Sequence, residues 1–207
     1  MDDTLPFSAV AEDFGSSTLN LYYSSPSTLN AISTLLRDTS ERLEARLDKG
    51  PSALRFLDLG SGDGRLVVHM ATHFGIRATG VDFSPASVAE ATENARLAGV
   101  AHLCDFVLDD FMAWDRIPEE YTWVAAYLPQ TVVFRLRDAV ERWLKGDGAL
   151  SEGGVERDSR LFLSVLYEMK GWDRARLAGS DEKMTLWVAD KNTVPILTPS
   201  GTLSGNI

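Results

Sequence analysis

A glycine-rich turn follows directly after an apolar run that ends at Leu59, and its sequence is Gly60-Ser61-Gly62-Asp63-Gly64. The apolar run from Leu54 to Leu59 predicts a buried strand, and the residues from 66 to 74 predict a helix. Glycines in such a turn permit positive φ angles and let backbone N–H groups approach a ligand closely. The stretch therefore predicts a strand–turn–helix unit that binds a ligand at its turn.

The glycine spacing decides between classes of ligand. A dinucleotide-binding turn has the pattern G-x-G-x-x-G, whose third glycine seats the helix on the strand. Here the pattern is G-x-G-x-G, and Arg65 stands at the dinucleotide position. Asp58, two residues before the first glycine, would repel a pyrophosphate and suits a cationic or amine-bearing ligand. A nicotinamide oxidoreductase is therefore disfavoured.

The residues from Asp58 to Gly64 resemble motif I of the class I S-adenosylmethionine (SAM) methyltransferases, an acidic residue followed by x-G-x-G-x-G. The resemblance implies a Rossmann-like, doubly wound α/β fold with a mostly parallel seven-stranded sheet and helices on both faces. It also implies SAM as the cofactor, with contacts from Asp58, Gly60, Ser61 and Gly62. The alternative is a strand–turn–helix corner whose glycines serve only packing.

Strands and helices alternate along the rest of the chain. Further strands are predicted over 77–81, 102–108, 121–127, 160–166 and 183–190, and helices over 25–49, 84–99 and from Val133 to Leu144. Such alternation is typical of a parallel sheet with helices on both faces. We expect an N-terminal arm and helix over 1–50 that cover the cofactor site, a SAM-binding domain over 51–193 and a loose tail over 194–207. A glycine- and acid-rich loop is expected over 145–158.

Polar residues follow successive strands where a parallel sheet binds its ligands, beyond the carboxyl ends. Asp82 ends the second strand, 24 residues after Asp58, which is about the distance at which a carboxylate receives two ribose hydroxyls. Its alternative role is to cap the helix that starts at Ser84. Phe83 is expected to pack against an adenine face.

The third predicted strand ends in Asp109-Asp110-Phe111. Asp110 is expected to accept a hydrogen bond from the adenine amino group, with Phe111 flanking the ring. Asp109 is the competing candidate for the same contact. Three successive strand ends thus carry residues that suit one nucleoside ligand.

A narrower resemblance is to small protein-lysine methyltransferases that include the enzyme acting on the ATP synthase c-subunit. It rests on Tyr22-Tyr23-Ser24-Ser25-Pro26, on Ala126-Tyr127-Leu128-Pro129 after the fourth strand, and on Trp172 with the later strand 186–190. It implies methyl transfer to a lysine amine that Tyr127 orients, with Tyr22 or Tyr23 closing the acceptor pocket. A small-molecule methyltransferase and a non-catalytic binding module are the alternatives. The Asn/Asp-Pro-Pro-Tyr/Phe motif of adenine and glutamine-amide methyltransferases does not follow the fourth strand.

Composition limits the partners. The formal net charge of -10 opposes binding to nucleic-acid backbones and anionic membranes, and no apolar run reaches the ~18 residues of a membrane span. We therefore expect a protein or small-molecule methyl acceptor, no nucleic acid and no membrane span.

A single cysteine, Cys104, and an N-terminus without basic residues favour a cytoplasmic or nuclear location. His69 and His73 lack the glutamate of an HExxH site, so no metal is expected. The oligomeric state is left open.

Overall fold

The computed structural model describes residues 29–30, 32–34, 36–37, 54–146, 160–165, 167, 169, 172, 176–181 and 184–189. The strands are β1 (Arg55–Leu59), β2 (Arg77–Asp82), β3 (Cys104–Leu108), β4 (Trp123–Ala126), β5 (Leu161–Val165), β6 (Arg176–Asp181) and β7 (Met184–Ala189). The helices from residue 54 onward are α1 (Arg65–Phe74), α2 (Pro85–Leu97), α3 (Gln130–Arg135) and α4 (Arg137–Lys145). A short 3-10 helix spans Phe111–Ala113.

The seven strands form one sheet in the order β3-β2-β1-β4-β5-β7-β6. Strands β1 to β5 pair in parallel, while β7 pairs antiparallel with both β5 and β6. This mostly parallel, doubly wound sheet confirms the fold class predicted from the sequence. The chain order reverses between β1 and β4, which makes that boundary the switch point of the sheet.

The register brings the predicted ligand residues to one edge of the sheet. Leu59, the last residue of β1, pairs with Val81 of β2 and with Ala126 of β4. Asp82 pairs with Leu108, the last residue of β3. The glycine turn, Asp82, Asp109-Asp110 and Tyr127 therefore leave the sheet side by side.

Alternating side chains of β1 and β4 build a core on each face of the sheet. The α3/α4 core joins Leu57 and Leu59 to buried residues of the helices α3 and α4, among them Val133, Val140 and Leu144. The α1 core joins Phe56 and Trp123 to Val67 and Met70 of α1 and to the helical residues Ile32 and Leu36. Burial on both faces explains why β4 is wholly apolar.

The structure differs from the sequence prediction at two elements. The helix predicted through Val133 and Leu144 is two helices that meet at Leu136. The apolar spacing continues across Leu136, so periodicity alone does not reveal the break. Strand β6 was not predicted as a separate strand, because a register shift between Leu177 and Gly179 interrupts the two-residue alternation on which such a prediction depends.

The residues 1–28, most of the loop predicted over 145–158 and the tail from 190 lie outside the described residues. The predicted domain boundaries at 50 and 193 therefore stay predictions. Within the part of the chain that the structure describes, no helix is long and apolar enough to cross a membrane.

Candidate cofactor site

The glycine turn is held against the end of β2 by backbone hydrogen bonds. The amides of Gly60 and Ser61 both donate to the Val81 carbonyl, at 2.8 and 3.1 Å, and the amide of Gly64 donates to the Ser61 carbonyl at 2.9 Å. Gly60, Gly62 and Gly64 have φ angles of 79°, 53° and 74°. These left-handed conformations are the ones that glycine adopts without steric cost.

The surroundings of the three glycines differ. A Cβ on Gly60 would lie 2.5 Å from Leu128 Cδ2, and a Cβ on Gly64 would lie 2.7 Å from both Ala91 Cβ and Phe106 Cε1. A Cβ on Gly62 would meet nothing within 4 Å. Close packing therefore accounts for Gly60 and Gly64, whereas Gly62 borders open space into which a ligand fits.

Ser61 has its side chain directed away from that space. The residue is 7% exposed, and its Oγ has no hydrogen-bond partner among the described residues. The Oγ lies 2.6 Å from where a Cβ on Gly80 would stand. Ser61 is thus packed against β2, which leaves its backbone as the part nearest to a ligand in the turn.

Asp82 links the glycine turn to the start of α2. It is buried, its Oδ2 accepts from the Gly62 amide at 2.9 Å, and its Oδ1 accepts from the Ser84 amide at 2.9 Å. The capping alternative is therefore partly right, although Ser84 itself is the N-cap and accepts from the Ser87 amide at 3.3 Å. Each carboxylate oxygen retains acceptor capacity, so these contacts leave Asp82 able to receive ribose hydroxyls.

Three buried carboxyl groups lie close together around the glycine turn: Asp58, Asp63 and Asp82. Burial, followed by the negative charges of Asp82 and Asp63, raises the pKa of Asp58 to about 7. Arg65 neutralises Asp63 through hydrogen bonds from its Nε to both carboxylate oxygens, at 3.0 and 2.9 Å. The acidic surroundings suit a ligand with positive charge, such as an ammonium or a sulfonium group.

The end of β3 presents two aspartates with different contacts. Asp109 is exposed, and its two oxygens accept from the Asp110 amide at 2.8 Å and from Trp114 Nε1 at 2.9 Å. Asp110 is half-buried and caps the 3-10 helix, where its Oδ1 accepts from the Met112 amide at 3.0 Å. Asp109 thus fixes Trp114, and Asp110 fixes the turn that follows.

The two phenylalanines of the predicted adenine site differ in exposure. Phe111 is only 4% exposed and belongs to the α3/α4 core, while Phe83 is partly buried and packs against that core. Phe83 therefore offers more ring surface to a ligand than Phe111 does.

Consecutive residues after β4 face opposite sides of the sheet. Tyr127 is half-buried against the α1 core, whereas Leu128 is buried in the α3/α4 core and touches the space beside Gly60. Pro129 then precedes α3 as its N-cap residue. Tyr22 and Tyr23, the other predicted acceptor residues, lie outside the described residues.

One tertiary contact, between Glu141 and Trp172, was not predicted from the sequence. Glu141 accepts hydrogen bonds from Arg137 Nε and from Trp172 Nε1, each at 2.8 Å, which anchors the segment after β5 to α4. Burial raises the pKa of Glu141, but these hydrogen bonds and the charges of Arg137 and Lys145 outweigh it and leave the pKa below its usual value. The pair spans 31 residues of sequence, so no local pattern signals it.

The two histidines of α1 have a packing role. Ser33 Oγ lies 2.5 Å from His69 Nε2, and the His69 and His73 rings stack with centroids 3.9 Å apart. Burial, followed by the charge of His73, lowers the pKa of His69 to about 4. Among the described residues, no group of three or more His, Cys, Asp or Glu side chains is placed to hold a metal ion.

Comparisons with known proteins agree with this geometry. The sequence model of the ANTKMT methyltransferase domain matches residues 58–151, a span that runs from the glycine turn past β4. An RNA methyltransferase from Salinibacter ruber, solved with S-adenosyl-L-homocysteine, is 30% identical; the match covers 72% of this chain and 86% of that chain, with a TM-score of 0.54. No curated protein matches the chain.

Two solved structures of lower identity also match the chain. A SAM-dependent methyltransferase from Geobacter sulfurreducens is 22% identical over 78% of this chain and 55% of that chain, with a TM-score of 0.47. One from Thiobacillus denitrificans is 22% identical over 80% and 56%, with a TM-score of 0.42. Both were solved with S-adenosyl-L-homocysteine.

The 30% identity to the Salinibacter structure, over 86% of that chain, shows a shared family. The ANTKMT domain match adds a relation to the group that the sequence resembles. The chain therefore belongs to the class I SAM-dependent methyltransferases, and SAM is its cofactor.

Proposed function

We propose that the chain is a protein-lysine N-methyltransferase that works by direct displacement. The observation that carries the proposal is the placement of Tyr127 at the end of β4, next to a glycine turn lined with buried carboxyl groups. An acidic crevice attracts a cationic amine, and a phenol beside it offers an oxygen with which to orient that amine. The ANTKMT domain match, which spans both the turn and β4, supports the resemblance to protein-lysine methyltransferases.

Residues at the ends of β1 to β3 would hold the cofactor. Asp82 is assigned to the ribose hydroxyls, with Gly62 bordering the space that the ligand enters. Asp110 is preferred over Asp109 for the adenine amino group, because Asp110 is half-buried and directly precedes Phe111, whereas Asp109 is exposed. Asp58 is assigned to the cationic amino-acid end of SAM.

Bound SAM supplies an electrophilic methyl group, and the protein must deliver an uncharged amine to it. A lysine amine has a reference pKa of about 10.4 and has to lose a proton before it can attack. Desolvation next to a positive sulfonium lowers that pKa. We assign Tyr127 the role of aligning the amine, with the Leu128 carbonyl beside it.

The segment 14–26 is proposed to cover this crevice. Its aromatic residues lie outside the described part of the chain, but Ile32 and Leu36, a few residues further on, are buried in the α1 core against which Tyr127 packs. Ile32 and Leu36 thus share a core with Trp123 and Ala125 of β4. Deletion of residues 1–24 should leave a folded domain with much reduced turnover, because methyl transfer gains from the exclusion of water; unchanged turnover would contradict this role.

Two other acceptor classes compete with a lysine. Methyl transfer to a small molecule would use the same cofactor site. RNA is suggested by the description of the Salinibacter structure as an RNA methyltransferase, but the net charge of -10 opposes a phosphate backbone. A cytoplasmic or nuclear location stays a prediction.

Labelling of a host lysate with tritiated SAM separates these acceptors. We expect the label in a protein fraction, at lysine after hydrolysis, and resistant to ribonuclease. The Asp82→Ala variant, incubated at the same SAM concentration below saturation, provides the matched control and should label weakly. Label that is recovered only in RNA or in small metabolites would contradict the protein-lysine proposal while leaving the methyltransferase assignment intact.

A further inference from the structure

Leu128 stands at the switch point of the sheet. Open α/β sheets bind their ligands in the crevice where the strand order reverses, and here that crevice lies between β1 and β4. Leu59 of β1 pairs with Ala126 of β4, so Gly60 and Leu128 follow from neighbouring strand ends. The two residues face each other where the crevice begins.

The Leu128 side chain fills the space next to Gly60. A Cβ on Gly60 would lie 2.5 Å from Leu128 Cδ2 and 3.5 Å from Leu128 Cγ, so a larger residue at position 60 would require Leu128 to move. Leu128 itself is 7% exposed and is held among the buried residues of the α3/α4 core. Since protein interiors are close-packed, contacts with these residues hold the side chain beside the glycine turn, where it forms one wall of the crevice.

The order of the ligand residues places the reacting end of SAM at this wall. The assigned ribose site, Asp82, lies at the end of β2, and the assigned adenine site, Asp110, follows β3. From β3 through β2, the next strand is β1, and β4 follows. A SAM molecule laid across these strand ends therefore brings its sulfonium to Gly60 and Leu128.

We propose that Leu128 limits the alkyl group that the enzyme accepts on sulfur to a methyl group. During transfer, the carbon–sulfur bond breaks with its electron pair left on sulfur, the carbon forms a bond to a lone pair of the acceptor atom, and the acceptor's proton leaves to solvent. The alkyl group that moves must fit between the glycine turn and Leu128. The proposal rests on the placement of SAM and not on the identity of the acceptor.

The test compares the binding of SAM with that of its S-allyl analogue by titration calorimetry, which requires no acceptor. A site that is sized for a methyl group should favour SAM over the S-allyl analogue by at least about tenfold. In Leu128→Ala, where the wall is shortened, that preference should fall by about tenfold. Leu128→Val should lower the preference for SAM by a smaller factor, and it replaces the alanine variant in the test if that variant does not fold.

Leu144→Ala is the matched control. Leu144 is fully buried in the same α3/α4 core, but it lies at the far end of α4, where the Trp143 carbonyl accepts from Arg160 just before β5. Its substitution should leave the preference unchanged. The proposal is overturned if both Leu128 variants keep the wild-type preference or if Leu144→Ala lowers it equally. A wild-type protein that binds neither ligand would overturn it through the SAM placement on which it rests.

Discussion

The two sides of the switch point are built differently. On the side to which we assign the cofactor, at the ends of β1 to β3, the aspartates hold the backbone in place: Asp82 binds the Gly62 and Ser84 amides, and Asp110 binds the Met112 amide. On the side to which we assign the acceptor, after β4, Tyr127 and Leu128 pack into the two apolar cores. The cofactor side is thus fixed by polar contacts to the main chain, and the acceptor side by side-chain packing.

This difference explains how the two sides tolerate variation. Backbone geometry at the glycine turn depends on particular residues at particular positions, since few residues adopt positive φ. Packed apolar positions accept other side chains of similar volume. We therefore expect the cofactor side to be brittle towards substitution and the acceptor side to tune turnover and selectivity.

The largest effect is expected from overpacking the glycine turn. Gly64→Ala combines a positive φ of 74° with a Cβ only 2.7 Å from Ala91 and Phe106, and should lower the free energy of unfolding by about 2–5 kcal/mol. Gly99 has the same φ of 74° but open surroundings, so Gly99→Ala should cost only about 1–2 kcal/mol. Urea denaturation measures both, and equal losses would show that packing around Gly64 does not matter.

The fold was predictable where local residues determine the backbone. The glycine turn, the cap at Ser84-Pro85 and the apolar strands β1, β2 and β5 each follow from short patterns, and the structure has them within one or two residues of the predicted ends. The bulge at Leu177/Gly179 and the break at Leu136 depend on tertiary packing. No short sequence pattern indicates the bulge or the break.

The site divides in the same way. Asp82 was predictable because its distance from the glycine turn is set by one strand–helix–strand unit. The contact between Leu128 and Gly60 was not, because it joins residues 68 positions apart whose proximity depends on strand order. Sequence spacing therefore predicts the position of Asp82, while only the assembled sheet shows that Leu128 lies against Gly60.

The second prediction concerns the acidity of the cofactor side. The pKa of Asp58 is raised to about 7 in the folded protein from an ordinary 3.8, so between these pH values the folded state holds a proton that the unfolded state has lost. The contribution of Asp58 to the free energy of unfolding therefore falls by about 2–4 kcal/mol as the pH rises from about 4 to 7. It does not change further above that pH.

Asp58→Asn removes this penalty. The stability of the variant relative to wild type should rise with pH across that window and then level off, as measured by urea denaturation at several pH values. Asp105→Asn, at an exposed position of β3, is the control for the loss of one surface carboxylate. A flat difference for Asp58→Asn would mean that Asp58 titrates normally.

The third prediction separates two roles of Asp82, the proposed binding of the ribose hydroxyls and the support of the neighbouring backbone. Asp82→Ala should weaken SAM binding by about 1.5–3 kcal/mol, or roughly one to two decades, through loss of charge-assisted hydrogen bonds. Part of this loss comes from the Gly62 and Ser84 amides. An analogue of S-adenosylhomocysteine that lacks both ribose hydroxyls distinguishes the two contributions. Wild type should bind this analogue more weakly than S-adenosylhomocysteine, whereas Asp82→Ala should bind the two ligands equally. An equal further loss in the variant would refute the ribose assignment.

The smallest effect is expected on the acceptor side. Tyr127→Phe should lower turnover about tenfold, equivalent to ~1.4 kcal/mol of lost orientation, with little change in SAM affinity. Initial rates with the labelled lysate protein measure this. Tyr121→Phe is a matched control, because Tyr121 is also half-buried but lies before β4, at the opposite end of that strand.

One crossed measurement tests the division between the two sides most directly. The dissociation constant for SAM and the turnover at saturating SAM are determined for wild type, Asp82→Ala and Tyr127→Phe. We predict that Asp82→Ala raises the dissociation constant by one to two decades and loses little turnover at saturation, while Tyr127→Phe keeps the dissociation constant and loses about tenfold in turnover. If both variants change the same quantity, or if Asp82→Ala binds SAM as tightly as wild type while folded, the separation of a cofactor side from an acceptor side is contradicted.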